Sequence, residues 1–198
     1  MNGVTPTRSA VIALKDERRA MQEGYVFLDE KCLLLAGAML RELRRYRDAR
    51  GRLASLQRAA AEALAAAVAR HGLEGLQCYP APDPAAARVH EAQHSLLGVA
   101  LKEAQLDRLA DWVADPVGAS PEAGAARAAF AAVVGELVAI AAMSGNLERL
   151  YREYRRAVRR VRALQDVLLP ELDRTVADIE ARLEELEQDE ALWVRRRR

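Results

Sequence analysis

The chain has 198 residues, of which 30% are charged, but the two signs nearly cancel to a net charge of +1. This length is enough for one ordinary domain or two small ones. The balanced charge gives no global field that would draw the chain to nucleic acid or to an anionic membrane. Two cysteines, Cys32 and Cys78, do not make a disulfide framework and are typical of a reducing cytoplasm.

Neither end of the chain nor its middle predicts a membrane-spanning segment. No apolar run approaches the roughly 18 residues that a span requires. Charged side chains between Arg8 and Arg19 interrupt the N-terminus, which argues against a secretory signal. We therefore expect no direct membrane insertion, so that any link to a membrane would pass through partner proteins.

The first long helix is predicted over residues 7–71. Thr5 is the expected N-cap, with Pro6 at the first helical position, and Gly72 is the expected stop. Apolar residues recur at alternating spacings of three and four, which average 3.5, the period of a helix that winds around another helix. We call this set the N-terminal seam: Leu14, Met21, Tyr25, Leu28, Leu35, Met39, Tyr46 and Leu53.

The second long helix is predicted over residues 122–197, beginning near Pro121. Pro170 lacks an N–H, and we expect it to bend the helix by removing one ladder hydrogen bond. The same spacing extends back through Phe130, Val133, Leu137 and Ile140. The C-terminal seam comprises Leu147, Tyr151, Tyr154, Val158, Val161, Leu168, Leu172, Ile179 and Leu186.

Two seams of similar length in one chain predict that the helices pair with each other. Most helical stability comes from packing an apolar face, so neither helix is expected to be stable alone. The predicted fold is all-α dominated: a long antiparallel two-helix coiled coil with a short irregular or β-hairpin insert. The alternative is a compact up-down bundle, with breaks at glycines such as Gly51.

Residues 72–121 form the predicted insert between the helices. Pro80, Pro82 and Pro84 forbid helix and favour extended chain. Residues 88–105 fit two strands of a hairpin, beginning at Val89, or a short helix around Leu96, and the residues alone leave both open. Proline and glycine between residues 111 and 124 indicate a loop.

The insert also carries an H-E-x-x-H motif, formed by His90, Glu91 and His94. On a helix this spacing places two histidines on one face for zinc, with the glutamate as general base. A third ligand would have to come from outside the motif, for which Glu103 and Glu122 are the candidates. In a strand, residues four apart stand roughly 13 Å from each other and cannot share one metal ion. We therefore reject this zinc site and expect no metal, no cofactor and no catalytic residue.

A basic band marks the middle of the second helix. Its arginines are opposed by one acidic residue, Glu153, and they would hold phosphates in a nucleic-acid-binding protein. Aromatic side chains interleave with the band only at Tyr151 and Tyr154, which belong to the seam. A solvated or protein-facing strip is the preferred interpretation. The band consists of Arg149, Arg152, Arg155, Arg156, Arg159, Arg160 and Arg162.

Two patches carry a family resemblance. The first is Val4-Thr5-Pro6-Thr7-Arg8, with Gly24 and Lys31 further along. The second is the stretch 159–170, R-R-V-R-A-L-Q-D-V-L-L-P. The first resembles the opening of the D subunit of V-type and A-type ATP synthases, and the second is similar to that family's R-R-V-N-A-L-E-x-V-x-I-P signature. The charged stretch 179–198 also resembles the family's tail.

The resemblance implies a non-catalytic central rotor stalk subunit, with one copy in each complex. It implies a coiled coil inside a hexamer of alternating catalytic and non-catalytic subunits, with the F subunit and the socket subunit of the membrane ring at the lower end. It also implies a cytoplasmic location, peripheral to the membrane, and favours the strand interpretation of residues 88–105. Candidate partner contacts are Arg8, Arg155, Arg159 and Arg160.

Two other functions remain open from the residues. A coiled-coil scaffold or adaptor without a motor role would need the same two seams. A zinc metalloprotease is a distant third, because it depends on the rejected H-E-x-x-H site.

Overall fold

The computed structural model describes residues 6–77, 79–80, 88–107 and 119–197. The elements are α1 (Arg8–Gln77), β1 (Val89–Leu96), β2 (Val99–Leu106), α2 (Pro121–Ala163), a π-helical turn (Leu164–Leu168) and α3 (Leu169–Arg196). The predicted all-α-dominated fold with a β-hairpin between long helices is confirmed. The predictions for Thr5, Cys78, Pro82, Pro84 and most of the loop 111–124 lie outside the described residues.

Helix α1 begins at Arg8, one residue after the start of the predicted range, and its N-cap lies two residues after the predicted one. Thr7 is its N-cap, because the Thr7 Oγ1 atom accepts a hydrogen bond from the Ala10 N–H at 3.2 Å, which satisfies a donor that has no partner within the helix. Near the other end, Gly72 has φ 66° and ψ 169°, a conformation that glycine adopts without steric cost. The helical backbone is therefore interrupted at the position where the sequence predicts a stop, and it resumes as far as Gln77.

The chain divides into two compact units. The terminal unit contains residues 1–35 and 153–198, and the hairpin unit contains residues 36–152. In the terminal unit, ion pairs join Arg8 to Glu187 and Lys15 to Glu180, both at 2.6 Å. Residue numbers rise along α1 as they fall along α3, so the two helices run antiparallel. A small core lies between them, formed by Val11, Leu14, Val176, Ile179 and Leu183.

In the hairpin unit, α1 and α2 are also antiparallel. Arg52 pairs with Glu136 at 2.8 Å and Arg70 pairs with Glu122 at 3.2 Å. Ser120 is the N-cap of α2, since its Oγ atom accepts the Ala123 N–H at 3.2 Å, and Pro121 takes the first helical position, where its missing N–H is harmless. The buried side chains are mostly small: Ala49, Ala60 and Ala67 on α1, and Ala123, Ala126 and Val133 on α2.

Strands β1 and β2 form an antiparallel hairpin in which Val89 faces Leu106 and Leu96 faces Val99. The two-residue turn has positive φ at both positions, 52° at Leu97 and 84° at Gly98, as the turns that match strand twist require. Val99 and Leu101 of β2 are buried, whereas β1 is largely exposed. The alternative of a short helix over this segment is wrong.

Pro170 is accommodated by a change of helix type. Its nitrogen cannot donate a hydrogen bond to the residue four positions back, and its ring would clash with that carbonyl group. The π-helical turn lies directly before it, and the Leu169 N–H donates to the Leu164 carbonyl five residues back. Such a turn inserts one extra residue into the ladder, which lets helical structure continue through the proline.

Candidate partner-docking surfaces

The N-terminal seam lies on the packed side of α1. Leu35 is fully buried, and the other predicted members are half-buried. On the same side of α1, Val11, Cys32, Ala49 and Ala60 are buried as well. The spacing of 3.5 residues therefore follows the buried stripe of α1 from Val11 to Ala60.

The C-terminal seam follows its stripe less closely. Val161 and Ile179 are buried, and Leu147, Tyr154, Val158 and Leu172 are half-buried. Three predicted members differ, because the exposed fractions of Tyr151, Leu168 and Leu186 are 48%, 39% and 51%. The buried stripe passes instead through neighbouring positions, Leu150, Ala157 and Val176. Apolar residues occupy two adjacent helical rows here, and spacing alone does not distinguish the row that packs.

A buried amide anchors the β-hairpin to the helices. Asn146 of α2 is 4% exposed. Its Nδ2 atom donates to the backbone carbonyl of Lys102 at 2.8 Å, and its Oδ1 atom accepts the Lys102 N–H at 2.8 Å. One side chain thus satisfies both backbone groups of a β2 residue, as a neighbouring strand would. We call this group the Asn146 anchor.

The anchor reaches α1 through Glu42. The Asn146 Nδ2 atom also donates to the Glu42 Oε1 atom at 2.9 Å, and Glu42 is 8% exposed. Arg149 donates to the Asn146 Oδ1 atom at 2.7 Å. A buried carboxylate is costly unless hydrogen-bonded, so Glu42, Asn146 and Lys102 form one interdependent network that joins α1, α2 and β2.

The H-E-x-x-H residues lie on β1, where the helical geometry of a zinc site does not form. His90 contacts Asp107, with 2.6 Å between Nε2 and Oδ1, and His94 faces Leu101 across the hairpin. The Lys102 ammonium lies 2.7 Å from Glu91, and its hydrogen bond lowers the pKa of that carboxyl group. Within the described ranges, no group of three or more His, Cys, Asp or Glu side chains is arranged to hold a metal ion.

An apolar groove of about 850 Å³ lies in the hairpin unit. Phe130, Val134 and Leu137 of α2 are 44%, 40% and 44% exposed, and their spacing aligns them in one row of the helix. Phe130 and Val134 line the groove together with Leu64 of α1 and Leu106 of β2. Large apolar side chains that share a concave, exposed surface are typical of an interaction site.

The same part of α2 corrects the expectation about membrane spans. Among the described residues, one helical stretch, Pro121–Arg196, contains a window long and apolar enough to cross a membrane, and 6% of that window is buried. Between residues 125 and 145 the chain is rich in alanine, and Arg127 and Glu136 are its two charged residues. Glu136 is 17% exposed and pairs with Arg52, so the stretch packs against α1 through an ion pair.

A half-buried ion pair lies in the terminal unit. The Lys31 ammonium contacts Glu153 at 2.6 Å, and the two side chains are 18% and 24% exposed. The hydrogen bond from Lys31 lowers the pKa of the Glu153 carboxyl group. On the next residue of α1, burial raises the pKa of the Cys32 thiol, which favours its neutral form.

The four candidate contact arginines are all exposed. Arg8 pairs with Glu187, and the two side chains are 80% and 55% exposed. Arg155, Arg159 and Arg160 lie on α2 within the terminal unit. The structure therefore brings Arg155, Arg159 and Arg160 together on one helix, and it places Arg8 on α1, where it pairs with Glu187 of α3.

Sequence patterns alone do not reveal the Asn146 anchor or the apolar groove. Asn146 carries only a weak signal, because Ser144, Glu148 and Arg149 are also polar residues in this part of α2. The groove gives a clearer signal in the sequence. Phe130 and Leu137 follow the seam spacing, whereas Val134, which lies one turn from Phe130, does not. A second apolar row beside the seam indicates a second contact surface.

The family profile and the similar proteins reported below all indicate the same family. The sequence profile of the family described as the D subunit of ATP synthase matches residues 10–196. The D subunit of the A-type ATP synthase of Methanoregula boonei is 27% identical over 194 residues, covering 96% of this chain and 93% of the relative. The D subunit of the V-type ATP synthase of Thermotoga neapolitana is 26% identical, with 98% and 96% covered. The corresponding V-type protein of Anaeromyxobacter dehalogenans is 28% identical, with 99% and 96% covered.

Proposed function

Because the chain belongs to the family of ATP synthase D subunits, we propose that it is the central rotor stalk component of a V/A-type rotary ATPase. The match over residues 10–196 carries this proposal, since it includes both long helices and the hairpin between them. The chain is then a non-catalytic part of a membrane-associated complex. It couples rotation of the membrane ring to ATP synthesis or hydrolysis in the catalytic hexamer.

The pairing of two helices supports this role through symmetry. A two-helix pair has no threefold axis, so three catalytic sites arranged around it would each meet a different face. A site that contacts one face more favourably shifts toward the conformation that makes the contact. Rotation then exchanges the states of the three sites, which links rotation to nucleotide binding and release.

The ion pairs of the terminal unit support a rotating rather than a fixed component. Arg8–Glu187, Lys15–Glu180 and Arg18–Asp173 are each about half exposed or more. Exposed pairs of this kind contribute roughly 0–1 kcal/mol each. These three pairs offer weak contacts to surrounding subunits, and none of them is strong enough by itself to hold the unit at one angle.

The apolar groove of the hairpin unit supports a fixed partner at that part of the chain. Phe130, Val134 and Leu137 are spaced as a row that a third helix would cover. We assign this groove to the F subunit, which the family resemblance places at the lower stalk, and the β-hairpin to the contact with the socket subunit. A scaffold without a motor role would also expose apolar surface, so stoichiometry separates the two functions.

The first test is the number of copies in the assembled complex. A central shaft requires one copy of this chain per hexamer of catalytic and non-catalytic subunits, measured by native mass spectrometry of the purified complex. Three copies per hexamer, or copurification without any ATPase component, would contradict the rotor role and favour a scaffold.

The second test concerns the groove. Phe130→Asp places a charge in the apolar row and should weaken binding of the F subunit by at least roughly tenfold, because the carboxylate would be desolvated on docking. Ala132→Asp is the matched control, since Ala132 is exposed on the same helix and does not line the groove. Affinity is measured by calorimetry on the two purified proteins. Equal affinities for the two variants would exclude the groove as the docking surface.

A further inference from the structure

The terminal unit carries an uneven charge along α2. Between Glu153 and Arg162 there are five arginines and one acidic residue. We call these arginines, all of them exposed, the arginine face: Arg155, Arg156, Arg159, Arg160 and Arg162. The one acidic residue, Glu153, contacts Lys31 of α1 at 2.6 Å, so the nearest carboxylate already has a cationic partner.

Elsewhere in the same unit, several cationic side chains are paired with carboxylates. Arg8, Lys15 and Arg18 of α1 each meet a carboxylate of α3. In contrast, Arg159 and Arg160 form no ion pair within 4 Å among the residues that the structure describes. Like charges three or four positions apart on a helix destabilise it by a few tenths of a kcal/mol per pair. Among the described residues, no carboxylate lies within ion-pair distance of Arg159 or Arg160 to offset this repulsion directly, and the charge of Arg160 reaches Glu153 only from beyond that distance.

Helix geometry points these arginines away from α1. Ala157 and Val161 are 2% and 9% exposed and mark the packed side of α2. At about 100° per residue, Arg155, Arg159 and Arg162 lie on the opposite side. They span about 10 Å of helix, with Arg156 and Arg160 beside them.

The outward side of α1 in this unit has a different character. Val26, Phe27, Leu33 and Leu34 are 46%, 65%, 70% and 58% exposed, and Glu30, also exposed, lies among them. The two helices thus present chemically distinct surfaces, one apolar and acidic and the other strongly basic.

We propose that the arginine face docks on an acidic protein surface of a surrounding subunit. The proposal rests on the proposed rotor function and deepens it, because it names the chemistry of one contact surface. Guanidinium groups bind carboxylates through paired hydrogen bonds, which fix orientation as well as adding attraction. A basic face on one helix only would give the terminal unit a preferred angle relative to that acidic surface.

Nucleic acid is the less favoured occupant. A duplex is wide enough to reach both helices, and Glu23, Asp29 and Glu30 of α1 would repel its phosphates. Stacking of successive bases would require a row of exposed aromatic side chains beside the arginines, whereas of the two neighbouring tyrosines Tyr154 is half-buried and only Tyr151 is exposed. A carboxylate surface that contacts α2 alone meets neither obstacle.

The experiment compares two doubly substituted chains in the assembled complex. Arg159→Gln with Arg160→Gln removes two charges from the arginine face, and Arg174→Gln with Arg182→Gln removes two exposed charges elsewhere in the unit. Affinity for the catalytic hexamer is measured for each at about 50 and 200 mM salt. We expect the first variant to bind roughly tenfold more weakly at low salt, with a smaller difference at high salt. The control variant should stay within about twofold of the parent chain.

Each outcome has a distinct meaning. If both variants bind as the parent chain does, the arginine face is not a docking surface, although the rotor function stands. If the parent chain itself fails to bind the hexamer, the rotor function and this proposal both fail. A 30-base-pair DNA duplex is tested in parallel, and duplex binding that disappears only in the Arg159/Arg160 variant would replace the acidic protein surface with nucleic acid. Circular dichroism of both variants checks that helical content is unchanged.

Discussion

Replacing Asn146 by leucine should release the β-hairpin from the helices and lower the free energy of unfolding by about 3 kcal/mol. The side chains are similar in size, but leucine can neither donate to Glu42 nor pair with the backbone of Lys102. The Glu42 carboxylate would then lose its donor from α2 at a site where it is 8% exposed. For a chain of this size the corresponding decrease in Tm is roughly 6–12 °C.

The melting temperature reports the loss of stability of the whole chain, whereas hydrogen exchange shows which backbone amides lose protection in the Asn146→Leu variant. The Lys102 amide, which donates to Asn146 at 2.8 Å, should exchange much faster in the variant, along with neighbouring amides of β2. Ser144→Ala is the matched control, because Ser144 is an exposed polar residue half a turn away on α2. Glu42→Gln should cost less than Asn146→Leu, since its amide oxygen can still accept from Asn146. Unchanged protection of Lys102 in the Asn146 variant would mean that the hairpin is held by other contacts.

Periodicity predicts α1 well because one row of apolar residues is continuous along it. The seam spacing coincides with buried positions from Val11 to Ala67, and Gly72 marks the interruption because its backbone has a positive φ. The buried stripe and the interruption at Gly72 both depend on residue type and local spacing, which can be read directly from the sequence.

Helix α2 is harder to predict because several of its rows are apolar. Tyr151 fits the spacing as well as Leu150 does, yet Leu150 is 1% exposed and Tyr151 is 48% exposed. Alanine contributes to the difficulty, since it suits packed and exposed positions alike. The packed row is set by the partner helix, which a pattern on one helix does not contain.

The Asn146 anchor and the π-helical turn show two further limits. The role of Asn146 depends on Glu42 and Lys102, which are 104 and 44 positions away, and no short-range pattern links them. Pro170 correctly signals a disturbed hydrogen-bond ladder, but the widened turn is one of several ways in which a helix accommodates proline. The sequence therefore predicts where the disturbance occurs better than it predicts its form.

Removing residues 184–198 should uncouple ATP hydrolysis from ion transport while leaving the hairpin unit bound to its partners. The deleted segment is the exposed end of α3: Leu186, Leu192, Trp193 and Val194 are each more than half exposed. The deletion removes one exposed ion pair, Arg8–Glu187, so its direct cost in stability should be about 1 kcal/mol or less. The hairpin unit, which carries the groove assigned to the F subunit, contains none of the deleted residues.

We expect a large loss of coupling because, under the proposed rotor function, residues 184–198 contact the surrounding subunits. Without it, the catalytic sites would lose part of the asymmetric surface that distinguishes them, and ATP turnover would continue with reduced ion pumping. The measurement is the ratio of ATP-driven ion transport to ATP hydrolysis in reconstituted complex, with binding of the F subunit measured on the same samples. Arg8→Ala is the control, because it breaks the Arg8–Glu187 pair and retains the segment. A deletion that abolished binding of the F subunit but left the ratio unchanged would place the chain ends, rather than the hairpin unit, against the lower-stalk partners.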